Sequence, residues 1–222
     1  MEGDLDENPR GIERVIFFTD AVVAIAITLL ILPLVEIVTN DSTRGIPLPN
    51  LIYDNLGQMF GFALSFVIIA RLWIANHEIL LSTAKSTGAL IWLDIAWVFT
   101  IVVIPLPTEI TAVYDASLLT VTIYIGCGFA STLLLTGLCY YLYRHPELQK
   151  HGHPISGVQL WGVGVTSLAF VLAFLLAVLI PPIHYYSMFA LVLTWPADAL
   201  VKPRIRRREA AKAAGATKTV KA

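Results

Sequence analysis

The chain alternates long apolar runs with short polar stretches, and six of the runs read as membrane-crossing helices. They extend from about Arg14 to Val38, Leu51 to Ala75, Ala89 to Leu106, Ser117 to Tyr143, Val158 to Ile180 and Ile183 to Val201. A hydrocarbon layer ~30 Å thick takes roughly 20 apolar residues of helix, and the runs approach or exceed that length. The polar stretches "TNDSTRGIPLPN", "STAKSTG", "PLPTEITAVYD", "RHPELQKHGHPISG" and "PPIHYY" are rich in turn-forming residues and read as connections. The pattern predicts an all-α membrane protein with six transmembrane helices.

Composition excludes the main competing class. Charged residues make up 14% of the chain, against about 25% in a soluble domain, and so many long runs do not fit one soluble core. Charge is also unevenly placed. Residues 1–13 form an acidic cytosolic N-terminus, 14–201 the six-helix transmembrane domain, and 202–222 a basic tail. A basic tail suggests nucleic acid, but the cytosolic flank of a last membrane helix is much the commoner origin, and no nucleic-acid partner is expected. Cys127 and Cys139 fall in one predicted helix, ~18 Å apart at 1.5 Å per residue, too far to bridge within it. No metal-ligand spacing appears, so no metal or other cofactor is expected. The first apolar run is long and follows acidic residues, unlike a cleavable signal peptide.

Basic residues set the orientation. With six spans both termini share one side, and all fifteen Lys and Arg residues except Arg44 fall there. That partition predicts a multi-pass membrane protein with both termini in the cytosol. Trp73, Trp92, Tyr140, Tyr141, Tyr143, Tyr185, Tyr186 and Trp195 lie mostly near span ends, as an interfacial belt does. Gly126, Gly128 and Ser131 in the fourth span suit close helix contact.

Ionisable groups inside spans are costly and mark candidate sites. Arg14, Asp20 and Asp94 qualify, with His77 just past the second span and Glu36 near the outer end of the first. On a helical wheel Phe18, Ala21, Ile25, Thr28, Leu29 and Leu32 form one stripe of the first span, with Arg14 further down the same side. Asp20 points away from the stripe, toward neighbouring helices. By spacing alone, such a stripe is more often a packing face against helices or lipid than anything else. Trp73 and His77 share a face at i, i+4, with Asn76 beside them. They lie at the depth of Arg14, Phe18 and Asp20, where buried polar groups need partners. The simplest arrangement is one network joining Asp20 and Arg14 to Trp73, Asn76 and His77. The alternative makes Trp73 a belt residue and His77 a solvated loop residue.

The segment "RVIFFTD", followed by a small residue and "AIAITLL", resembles the first-helix motif of the transmembrane protein 175 potassium channels, here Arg14, Phe18, Thr19 and Asp20, then Ala24, Ile25, Thr28, Leu29 and Leu30. "WIANH" resembles the family's Trp-x-x-His-His, and "IPLPT" its Pro-x-Pro-Thr. Thr19 stands where Ser is usual, Asn76 replaces the first His, and Asp94 stands where Asn is expected. The role of Asp94 stays open between a charge buried against Arg71 or His77 and a protonated acid.

The resemblance implies a single-repeat prokaryotic member, a homotetramer whose partners are itself, the bilayer and the potassium ions it carries. It implies a central pore lined by the first helix, with Ile25 as the hydrophobic constriction, Leu29 and Leu32 extending the apolar lining, and Thr28 acting in ion selectivity. A proton-coupled transporter using Asp20, His77 and Asp94 is the competing reading, but transporters show internal repeats, and none is convincing here. No enzyme motif is present.

Overall fold

The computed structural model describes residues 9–43, 45–113, 117–150 and 155–179. The helices are α1 (Pro9–Leu29), α2 (Leu32–Thr43), α3 (Leu48–Asp54), α4 (Leu56–Leu81), α5 (Gly88–Val103), α6 (Pro105–Val113), α7 (Leu118–Arg144) and α8 (Gly157–Leu179), with a short 3-10 turn at Pro146–Leu148. Among the described residues five stretches are long and apolar enough to cross a membrane: Gly11–Asn40, Leu56–Leu81, Gly88–Thr111, Leu118–Arg144 and Gly157–Leu176. The protein is a multi-pass membrane protein whose described residues are nearly all helical. The expected sixth span, the basic tail, Arg44 and most of the acidic N-terminus lie outside the described residues.

Two of the spans are each built from two helices, and proline explains both breaks. Pro33 has no N–H, so the helical bond to the Leu29 carbonyl cannot form. The Ile31 amide closes instead on the Thr28 carbonyl at 3.3 Å, and α2 restarts with Val35 N–H on the Ile31 carbonyl at 3.1 Å. Pro105 likewise deprives the Ile101 carbonyl of its donor, and the Ile104 amide takes it at 3.2 Å. Gly11 lies against Ser86 and Thr19 against Asp94, the same number of residues further along both helices. α1 and α5 therefore run parallel, and their breaks lie at nearly the same level.

The boundaries differ from expectation at three places. The polar "TNDSTRGIPLPN" reads as a connection in the sequence, but α2 continues to Thr43 and α3 begins at Leu48. "PLPTEITAVYD" also reads as a connection, yet Pro105 to Val113 is helical, because proline suits a first helical turn. α4 runs to Leu81, past the expected end at Ala75, so His77 sits on a helix rather than in a loop.

α1 packs on α4 and α5, α5 on α7, and α7 on α8. The main core draws Ile16, Val23 and Ala26 from α1, Leu30 from the turn after it, Ile69 and Ile79 from α4, Trp97 and Ile101 from α5, and Leu135 and Leu138 from α7. A smaller cluster joins Leu64, Tyr124, Ile125 and Phe170. Lipid tails are as apolar as these side chains, so close packing and interhelical hydrogen bonds hold the bundle. At the end bearing Lys85 and Arg144, the two loops are stapled together: Ala84 N–H donates to the Leu148 carbonyl at 2.7 Å and Lys150 N–H to the Ser82 carbonyl at 2.9 Å. The Gln149 side chain donates to the Leu142 carbonyl and accepts from Ile155 N–H at 3.0 Å.

Candidate functional site

The buried residues of α1 and the turn that follows it are Ile12, Ile16, Thr19, Val23, Ala26 and Leu30, spaced by three and four along one face. The opposite face carries Phe18, Ala21, Ile25, Thr28, Leu29 and Leu32, all exposed in the isolated subunit. Ile25 is 60% exposed, Leu29 41% and Leu32 51%, so the stripe is not a packing face within its own subunit.

Thr19 lies on the packed face and Asp20 at its edge, and each grips a different neighbour. Successive residues on a helix point about 100° apart, which sends Thr19 toward α5 and Asp20 toward α4. The Asp20 carboxylate accepts from Trp73 Nε1 at 2.7 Å. His77 Nδ1 lies 3.2 Å from the same oxygen. The Trp73 and His77 rings lie 5.4 Å apart, one turn from each other on α4. On the other side, Thr19 Oγ1 donates to Asp94 Oδ2 at 2.6 Å and Asn76 Nδ2 donates to Asp94 Oδ1 at 2.9 Å. Thr19, Asn76 and Asp94 are all buried.

The expected network therefore divides into two. Trp73 and His77 reach Asp20, whereas Asn76 turns to Asp94. Asp94 is bonded to Thr19 and Asn76 rather than set against Arg71 or His77. Arg14 is exposed and has no bonded partner among the described residues; Phe18 is exposed beside it. Two helices thus hold α1 through adjacent residues, which fixes its rotation about its own axis and leaves the stripe turned outward.

Thr28 is exposed, and its hydroxyl donates to the Ile25 carbonyl at 2.8 Å. The hydroxyl hydrogen is thereby used within the helix, and the oxygen keeps lone pairs for an outside donor or cation.

A third polar group lies on the α4, α6 and α7 side. Ser65 Oγ is 2.9 Å from Thr108 Oγ1 and 3.0 Å from Tyr124 Oη, and Thr108 Oγ1 also donates to the Ile104 carbonyl at 2.9 Å. These hydroxyls tie the kinked end of the third span to its neighbours. Sequence reasoning missed them; only Thr108, in "IPLPT", carried a signal. Among the described residues no group of three His, Cys, Asp or Glu side chains is placed to hold a metal ion.

Residues 14–105 match the family model described as endosomal/lysosomal potassium channel TMEM175. The chain resembles the TMEM175 family over that segment. All the residues that anchor α1, and the whole stripe, fall inside the matched segment. A potassium channel of Streptomyces collinus is 29% identical over 143 residues, which cover 61% of this chain and 66% of that protein's length. The fold is also that of a crystal structure of a lysosomal potassium-selective channel TMEM175 homolog from Chamaesiphon minutus. The TM-score is 0.67 at 21% identity, covering 86% of this chain and 97% of that one. The likeness to that structure extends beyond the family-model segment. Both of these relatives are described as potassium channels.

Proposed function

We propose that the protein is a homotetrameric, potassium-selective cation channel of the cell membrane, with both termini in the cytosol and α1 of each subunit lining a central pore. The observation that carries this reading is the division of α1: one face is packed and bonded to α4 and α5, and the other is an exposed apolar stripe with a single hydroxyl. One such stripe in a subunit makes no closed pore, so several copies around a symmetry axis are required. A ring of Ile25 side chains forms the narrowest, hydrophobic constriction and gates by dewetting. Leu29 and Leu32 extend the apolar lining outward. The Thr28 hydroxyls, oxygen outward, favour potassium over sodium by replacing part of the hydration shell. Asp20 and Asp94 hold the pore helix rather than conduct.

The family and the fold support this reading over a proton-coupled transporter. Such a relay would have to join Asp20, His77 and Asp94, but Asp94 is bonded to two neutral side chains of a separate cluster. The test is ion flux in vesicles reconstituted with the purified protein. Potassium should run down its gradient uncoupled from protons, with a reversal potential that follows the potassium gradient. Saturable flux with a fixed proton stoichiometry would refute the channel. Native mass spectrometry should give four subunits.

A further inference from the structure

Resting on the channel reading, we infer that the Leu29 backbone carbonyl, released by Pro33, joins the Thr28 hydroxyl oxygen as a cation-coordinating group just beyond the Ile25 constriction. The sequence of α1 frees this oxygen. In an unbroken helix the Leu29 carbonyl accepts from the amide of the residue at position 33, and proline has none. The kink at Pro105 shows the usual remedy, the Ile104 amide folding back onto the Ile101 carbonyl. At Pro33 the tightened turn closes one residue earlier, from Ile31 N–H to the Thr28 carbonyl. No amide among the described residues takes the Leu29 carbonyl.

A carbonyl without a donor is costly in hydrocarbon, and irregular backbone at membrane depth is tolerated only inside protein or along a water-filled cavity. Leu29 lies in the middle part of the Gly11–Asn40 stretch, ~16 Å of helix from its Asn40 end at 1.5 Å per residue. It belongs to the exposed face and not to the packed one that holds Leu30. The same stretch therefore presents two oxygens with lone pairs available: Thr28 Oγ1, whose hydrogen goes to Ile25, and the Leu29 carbonyl. Both lie about one turn from Ile25, where an ion must shed water to enter. Carbonyl dipoles at close range replace hydration better for potassium than for the more tightly hydrated sodium.

The test restores the missing hydrogen. Pro33→Ala supplies an amide to the Leu29 carbonyl. Lactic acid placed at position 33 by nonsense suppression has the same methyl side chain but no N–H. Permeability ratios are read from reversal potentials under opposed potassium and sodium gradients. Pro33→Ala should lower the potassium-to-sodium ratio severalfold, and the lactic acid replacement should keep the wild-type ratio. Equal ratios in the two variants, whether unchanged or lowered, would overturn the assignment, since the N–H alone separates them. If Pro33→Ala does not assemble, replacing Leu30 by its α-hydroxy analogue turns the Leu29 carbonyl into a weaker ester acceptor. The ratio should then fall, and an unchanged ratio overturns the assignment. A wild-type protein that passes no potassium current refutes the channel itself, a different result from a current with unaltered selectivity.

Discussion

The α7–α8 contact allows a prediction with a control in the same helix. A Cβ added at Gly128 would lie 2.2 Å from Phe170 Cε1 and 2.9 Å from Cζ, while one added at Gly126 meets nothing within 4 Å. Phe170 is 3% exposed and wedged among Leu64, Val121, Tyr124 and Ile125. Its ring would have to retreat about 1.2 Å to reach the 3.4 Å of ordinary contact, against the buried side chains around it. Overpacking of this kind costs about 1–3 kcal/mol. Both substitutions gain the same helix preference of Ala over Gly, about 1 kcal/mol, so that gain cancels between them. Gly126→Ala should be neutral or stabilising, and Gly128→Ala should be less stable than it by about 1–3 kcal/mol, roughly one to two decades in the unfolding constant. Unfolding in mixed detergent micelles, followed by tryptophan fluorescence, measures the difference. Equal midpoints and slopes for the two variants would show that α8 does not seat its ring over Gly128.

Other perturbations address α1 and its supports. Ile25→Asn should wet the constriction and raise single-channel conductance; an unchanged conductance would place the stripe away from the pore. Thr28→Val keeps the shape and removes the hydroxyl, so the reversal potential under opposed potassium and sodium gradients should shift toward non-selectivity. Asp94→Leu removes two interhelical hydrogen bonds, each worth ~0.6 to ~1.7 kcal/mol in a membrane protein, and should destabilise the fold by about 1–3 kcal/mol. Asp94→Asn should stay near wild type, because its amide can serve both Thr19 and the unpaired Asn76 Oδ1; detergent unfolding distinguishes the two. At the stapled loop, hydrogen bonds from its own backbone amide and then from His145 hold the Glu147 carboxyl below its ordinary 4.5. A lowered folded pKa contributes stability above the unfolded pKa that is lost as pH falls through the folded one. The protection factors of the Glu147, Leu148 and Gln149 amides, corrected for intrinsic exchange, should therefore fall only on acidification below about pH 4.5, and equal factors at pH 6 and pH 3 would contradict this.

The class, most of the spans and the motif of α1 were legible in the chain, because membrane insertion demands long apolar runs and each run is a local property. The Ile25, Thr28, Leu29 and Leu32 stripe also separated from Asp20 at that level, since the wheel needs only the helical period. Pro33 and Pro105 were visible too, but not how the two breaks close, which depends on the amides that remain nearby. Depth along the spans already paired Asp20 with Trp73 and His77, but the Thr19, Asp94 and Asn76 bonds came only from the folded arrangement. Thr19 and Asp20 are neighbours in the chain, yet they bond to helices on different sides of α1. Trp73 and Asn76 lie three residues apart on α4 and serve different carboxylates. The Ser65, Thr108 and Tyr124 hydroxyls come from three helices and carry no shared spacing. A helical period fixes which way a side chain points, but its hydrogen-bond partner depends on which helix lies there and at what height.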